Sequence, residues 1–166
     1  MTDGLQRFLI VDANVLIDYT ATDKTILGLA NRYLGTLCIP RPILDEVSQL
    51  SETDCDSLGL RIVDGSVEQL LEAGRSRGRL SFHDHLCLVL AQSEGWICVT
   101  NDRALRRACD EVSVPVLWGL ELMIELVAGR LLLRETALEV ARSIQRVNPR
   151  HITPEILQRF EGRLAL

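Results

Sequence analysis

The chain has 166 residues, 47% of them hydrophobic and 25% charged, a composition that excludes a disordered tail or a collagen-like rod and leaves room for one domain. A chain of this length buries roughly 70% of its unfolded surface, so it needs neither a structural metal nor disulfides to fold. The net charge of −5 excludes a surface wholly devoted to nucleic acid.

Charge is uneven along the chain. Residues 1–102 carry 8 basic and 15 acidic side chains, whereas residues 103–166 carry 10 basic and 8 acidic. The basic set is 17 Arg and the single Lys24, and Arg offers the planar fork that suits phosphate. The five cysteines (Cys38, Cys55, Cys87, Cys98 and Cys109) form no C-x-x-C pair and sit mostly in apolar stretches, so they read as reduced core residues of a cytoplasmic protein. Asp3 and Arg7 precede the first apolar run and Asp12 follows it, which is wrong for a signal peptide, and no run reaches the roughly 18 residues of a membrane span.

In chain order, RFLIV (7–11) reads as a buried strand that ends in the polar turn Asp12-Ala13-Asn14, after which VLIDYT resumes in helical style. TLCIP is a second strand. Pro42 then opens a helix, PILDEVSQL, with Ile43, Val47 and Leu50 on one face. LRIVD (60–64) is a third strand, followed by a helix carrying Val67, Leu70 and Leu71. GRSRGRL (74–80) is a Gly/Arg-rich break. Ser81 and Asp84 then have the spacing of a capping box at the head of the helix that ends near Gly95. WICVT (96–100) is a strand, RALRRACDEV a helix and VPVLW (114–118) the last strand. From Gly119 onward the pattern is helical only, in LELMIELVAG, RETALEVARSIQRV and EILQRFEGRL, the last after a Thr153-Pro154 start.

Strands alternating with helices predict an α/β fold of three layers, a mostly parallel sheet flanked by helices, over residues 1–118, with 119–166 a helical extension packed on the same domain. Ligands of such sheets bind beyond the carboxyl ends of the strands. Asp12 and Asp102 each follow a strand, Glu46 lies one turn into the helix after TLCIP, and Asp84 lies in the first turn of the helix before WICVT. Converging carboxylates repel one another unless a hard divalent cation, Mg²⁺ or Mn²⁺, sits among them. Such ions serve phosphodiester hydrolysis by activating water and neutralising charge on the phosphate.

FLIVDANVLID, LDEV, FHDHLCLVLAQ and WICVTNDRALRRAC, in that order over roughly residues 7–118, resemble the motifs of PIN-domain ribonucleases, a family that includes VapC-type toxin nucleases. The resemblance implies that Asp12, Glu46, Asp84 and Asp102 are the catalytic, metal-binding carboxylates, with Asn14 and Thr100 as polar support. It also selects Glu46 over its neighbour Asp45. The implied substrate is single-stranded RNA, the implied metal Mg²⁺ or Mn²⁺, and the implied partner an antitoxin protein. Compact toxins of the family end soon after the last strand, whereas about fifty residues follow here.

For Asp12 no partner is evident nearby in the sequence, whereas Asp102 and Asp84 could serve as helix caps. His83 and His85 stand two apart on a helix and lack further ligands for zinc. Arg75, Arg77 and Arg79 before Ser81, and Arg103, Arg106 and Arg107 after Asp102, are candidates to hold an RNA backbone. Ile156, Leu157, Phe160 and Leu164 are helically spaced and form either a partner surface, as in a homodimer, or part of the chain's own core.

Three other functions compete. A PIN-like scaffold that binds RNA or protein without cutting would carry the same fold. A HAD-type phosphatase needs a second Asp where this chain has Asn14, and a receiver domain needs a Lys after the final strands. Dinucleotide binding lacks its G-x-G-x-x-G turn.

Overall fold

The structure is a computed structural model that describes residues 6–165; Asp3 lies outside them. Strands β1 (Phe8–Val11), β2 (Thr36–Pro40), β3 (Arg61–Val63), β4 (Ile97–Val99) and β5 (Val116–Leu117) form one sheet in the order β3-β2-β1-β4-β5. Every pairing is parallel, with Leu9 opposite Leu37 on one side and opposite Ile97 on the other. Leu9, Ile10 and Val11 are all fully buried, although neighbours along a strand point to opposite faces. Both faces of the central strand are therefore covered, which is why β1 reads as an unbroken apolar run.

The helices are α1 (Ala13–Thr22), α2 (Thr25–Tyr33), α3 (Arg41–Glu46), α4 (Glu52–Leu58), α5 (Val67–Ala73), α6 (Phe82–Glu94), α7 (Arg103–Glu111), α8 (Glu121–Ala128), α9 (Arg134–Val147) and α10 (Pro154–Leu164). Helix α6 lies on β1 and β4 and also touches α5 and α7, while α2 lies on β2 and reaches α8. The local signals set the ends of α6: the Asp84 N–H donates to Ser81 Oγ at 3.1 Å, and Gly95 closes the helix at φ 72°, a left-handed conformation that glycine adopts freely.

Several expected elements differ. The helix opened by Pro42 stops at Glu46, because Val47 turns to an extended conformation, yet Ile43, Val47 and Leu50 are all buried. Helices α2 and α4 have no counterpart in the sequence reading, which assigned no element to either stretch. On α5, Val67 is 70% and Leu71 65% exposed, and the face turned to the core is carried by Leu70 and Ala73 instead.

The C-terminal helices share the core of the sheet. Met123, Leu126, Ala141, Ile144, Phe160 and Leu164 join the cluster that contains Leu9 and Val15, so Phe160 and Leu164 are buried in their own chain rather than offered to a partner. Two long-range hydrogen bonds fasten them: Tyr19 OH donates to the Gly119 carbonyl at 2.6 Å, and Asn148 Nδ2 donates to Asp18 Oδ1 at 3.0 Å. Among the described residues no helix is long and apolar enough to cross a membrane.

Candidate active site

The order β3-β2-β1-β4-β5 sends the chain to one side of β1 for β2 and β3, then back across to β4. The loops leaving β1 and β4 diverge at that switch point, where parallel α/β sheets form their binding crevices. Asp12 leaves β1, and Thr100, Asn101 and Asp102 leave β4, so the topology brings together two motifs that lie 88 residues apart in sequence.

Asp12 is 1% exposed and has the partners that its sequence neighbourhood did not reveal. Its Oδ1 accepts the Val15 N–H at 2.9 Å and so caps α1, and its Oδ2 accepts the Thr100 hydroxyl. These bonds favour the carboxylate, but burial outweighs them. With further help from the charges of Asp84 and Asp102, burial lifts the Asp12 pKa to about 7. Thr100 Oγ1 in turn accepts the Asp102 N–H at 3.0 Å, so one buried hydroxyl joins both acids.

Asp102 caps α7 by accepting the Leu105 N–H at 2.8 Å, as its alternative structural role requires, and it stays half-buried at the rim. Asp84, also half-buried, is held above the usual carboxylate range first by burial and then by the charge of Asp102, with a further contribution from Glu46. Glu46 ends α3 and is exposed, its Oε2 3.3 Å from His83 Nδ1. The four acids thus sense one another electrostatically around the carboxyl end of the sheet. Asn14 is exposed in the first turn of α1, away from the buried bonding of Thr100. His85 turns inward, its Nδ1 2.9 Å from the Arg75 carbonyl, so neither histidine joins the acids as a ligand set.

The donor chemistry fits Mg²⁺ or Mn²⁺: hard carboxylate oxygens, mutually repelling, with the innermost pushed toward its neutral form. Among the described residues, no three His, Cys, Asp or Glu side chains are set to enclose an ion together.

The arginines divide into distinct settings. Arg77, Arg79 and Arg107 line one groove with Glu111, and Arg77 is 3.5 Å from that acid. Arg75 instead pairs with Glu72 at 3.0 Å, and Arg103 is exposed at the head of α7. Arg106, a candidate for the RNA backbone, is half-buried. Its guanidinium stacks 3.7 Å from the centroid of the Trp118 ring, and its Nε is buried with no hydrogen-bond partner among the described residues.

Sequence reasoning missed Asn101 and Trp118. Asn101 is buried, and its Oδ1 accepts the Gly119 N–H at 2.9 Å. A Cβ at position 119 would stand 3.0 Å from Asn101 Nδ2 and 3.2 Å from Val15, so this approach depends on glycine. The available signals were the position of Asn101 beside Asp102 and of the aromatic Trp118 at the end of the last strand.

No family model matches the chain. No curated protein matches it either. Among solved structures, it is similar to a PilT N-terminus domain protein from the hyperthermophilic archaeon Sulfolobus solfataricus P2. The TM-score is 0.53 at 13% sequence identity, over 71% of this chain and 92% of that one. The likeness is one of fold: the chain has a PIN-like α/β architecture, a five-stranded parallel sheet flanked by helices.

Proposed function

We propose that the chain is a divalent-metal-dependent endoribonuclease that hydrolyses phosphodiester bonds of single-stranded RNA. The observation that carries this reading is the buried Asp12 at the switch point of a PIN-like sheet, its pKa lifted to about 7, with Asp84 and Asp102 repelling it electrostatically. In this reading Asp12, Asp84 and Asp102 draw together on the principal Mg²⁺ or Mn²⁺ as it binds, because their side chains are not set around one point without it, and Glu46 helps to hold a second. A divalent cation bound there supplies activated water and charge neutralisation at the phosphate.

The chain's own residues do the positioning. Thr100 fixes the rotamer of Asp12 through its hydroxyl and anchors the Asp102 amide, so both acids keep their direction toward the rim. Arg77, Arg79 and Arg107 offer a phosphate-binding groove for the strand. The test is incubation of end-labelled single-stranded RNA with Mn²⁺ or Mg²⁺, with a chelator control, comparing the parent chain with Asp12→Asn. Metal-dependent cutting that the substitution abolishes is expected. Cutting that persists in Asp12→Asn, or in chelator, overturns the proposal.

A further inference from the structure

Flanked by α8 and α10 is an open cavity of about 200 Å³ whose lining includes Asn101, Trp118, Leu120, Ile156, Arg159 and Phe160. We propose that this cavity takes one nucleobase of the single-stranded substrate, making α10 a determinant of which nucleotide lies next to the cleaved bond. The inference rests on the nuclease reading for its substrate class and names a subsite within it.

Three observations lead there. The first is position: Asn101 lines the cavity and stands between Thr100, which bonds Asp12, and Asp102, so a group held there is next to the acids along the chain. The second is size and shape. Pockets for drug-sized ligands run about 300–1,000 Å³, so a space of 200 Å³ takes a smaller group such as one planar ring system. Its walls are mostly apolar and aromatic, and an aromatic ring is the usual stacking platform for an unpaired base.

The third is the polar complement. Asn101 Oδ1 is committed to the Gly119 N–H, which fixes the amide and leaves Nδ2, with no hydrogen bond among the described residues, to donate to a ring nitrogen or carbonyl of a base. Glu121, the acid on the cavity wall, is already engaged by Arg163 at 2.9 Å and by the Trp118 N–H at 3.2 Å. Arg159 is exposed at the mouth and makes no ion pair among the described residues, so it can meet the phosphate attached to the base. Arg106 lies outside the lining residues and stacks on the Trp118 ring.

The chain has two tryptophans, and Trp96 stacks on Phe8 away from the cavity, so Trp96→Phe leaves Trp118 as a single fluorescent reporter. This variant is titrated in chelator with AMP, GMP, CMP and UMP, and with ribose 5-phosphate as the base-free control. At least one nucleotide is expected to quench Trp118 saturably and to bind about tenfold or more tightly than ribose 5-phosphate. Adding Arg159→Gln, at an exposed position and checked for an unchanged melting curve, should weaken that nucleotide several-fold. Adding Ile156→Phe, checked for an unchanged melting curve, should reduce the quench by filling the cavity.

Equal binding of nucleotides and ribose 5-phosphate, or no quench by any nucleotide, overturns the subsite. The titration needs neither metal nor cutting, so the two readings fail separately. Nucleotide binding without RNA cleavage leaves the cavity assigned and removes the nuclease. Cleavage without nucleotide binding does the reverse.

Discussion

Replacing Asp12 by Asn should stabilise the metal-free protein while abolishing activity, and the size of the effect follows from the site. Burial lifts the Asp12 pKa from 3.8 to about 7, and each unit corresponds to roughly 1.36 kcal/mol of difference between protonation states. At pH 8 the folded chain therefore carries a penalty of about 4 kcal/mol for holding this carboxylate charged. The native state binds more protons than the unfolded chain between the two pKa values, so Asp12 lowers stability as pH rises from about 4 to about 7 and contributes no penalty below that window. Asn keeps an oxygen to accept the Val15 N–H, and the Thr100 hydroxyl rotates to suit the amide, so the cap survives the substitution.

A gain of about 2–4 kcal/mol at pH 8 corresponds to roughly 5–15 °C in Tm for a chain of this size. The assay is thermal melting of both forms in chelator at pH 8 and pH 4, with the difference expected to shrink to a fraction of its size at the lower pH. Adding Mn²⁺ should then shrink the difference, because mass action stabilises the parent by about 2.7 kcal/mol at a hundred times the dissociation constant and should do little for the variant. An Asp12→Asn protein that melts clearly lower in chelator at pH 8, or a difference that does not change with pH, refutes the reasoning.

Thr100→Val removes a hydroxyl that donates to Asp12 and accepts from the Asp102 amide, so it should cost about 1–3 kcal/mol and move the acid limb of the cleavage pH profile upward, read by urea melts and by rates from pH 5 to 9. Asn148→Asp sets a second carboxylate against buried Asp18, whose pKa is already raised to about 6 by burial. It should destabilise the chain more at pH 8 than at pH 5, and equal effects at both pH values would contradict the placement of that pair. Converting Arg77, Arg79 and Arg107 together to Ala should weaken binding of single-stranded RNA and lower the slope of log K against log salt by about 2, measured by fluorescence anisotropy across a salt series. An unchanged slope would remove the groove from the RNA path.

The sequence by itself determined what depends on neighbours in the chain. Apolar runs such as FLIV and WICV read as buried strands, and the capping residues Ser81 and Thr153 and the terminal Gly95 announced helix ends that the structure keeps. Position at the ends of those elements was enough to place Asp12 and Asp102 on one rim, because a parallel sheet aligns all its carboxyl ends. Short amphipathic segments fared worse. Helices α2 and α4 are fixed by burying Ile26, Leu27 and Cys55 against the rest of the chain, while Val67 and Leu71 repeat a core pattern with nothing to cover them.

Only the tertiary structure decided the electrostatics and the cavity. The hydroxyl that meets Asp12 comes from 88 residues away, and the amide that meets Asp18 from 130 residues away. Burial of Asp12 is a property of the packed sheet and α1, so its raised pKa has no signature in D-A-N. Likewise Asn101, Trp118 and Arg159 become neighbours of one space only once α10 packs against α8. Hydrophobic burial drives that packing and is indifferent to sequence separation. It therefore sets side by side residues whose spacing along the chain carries no message.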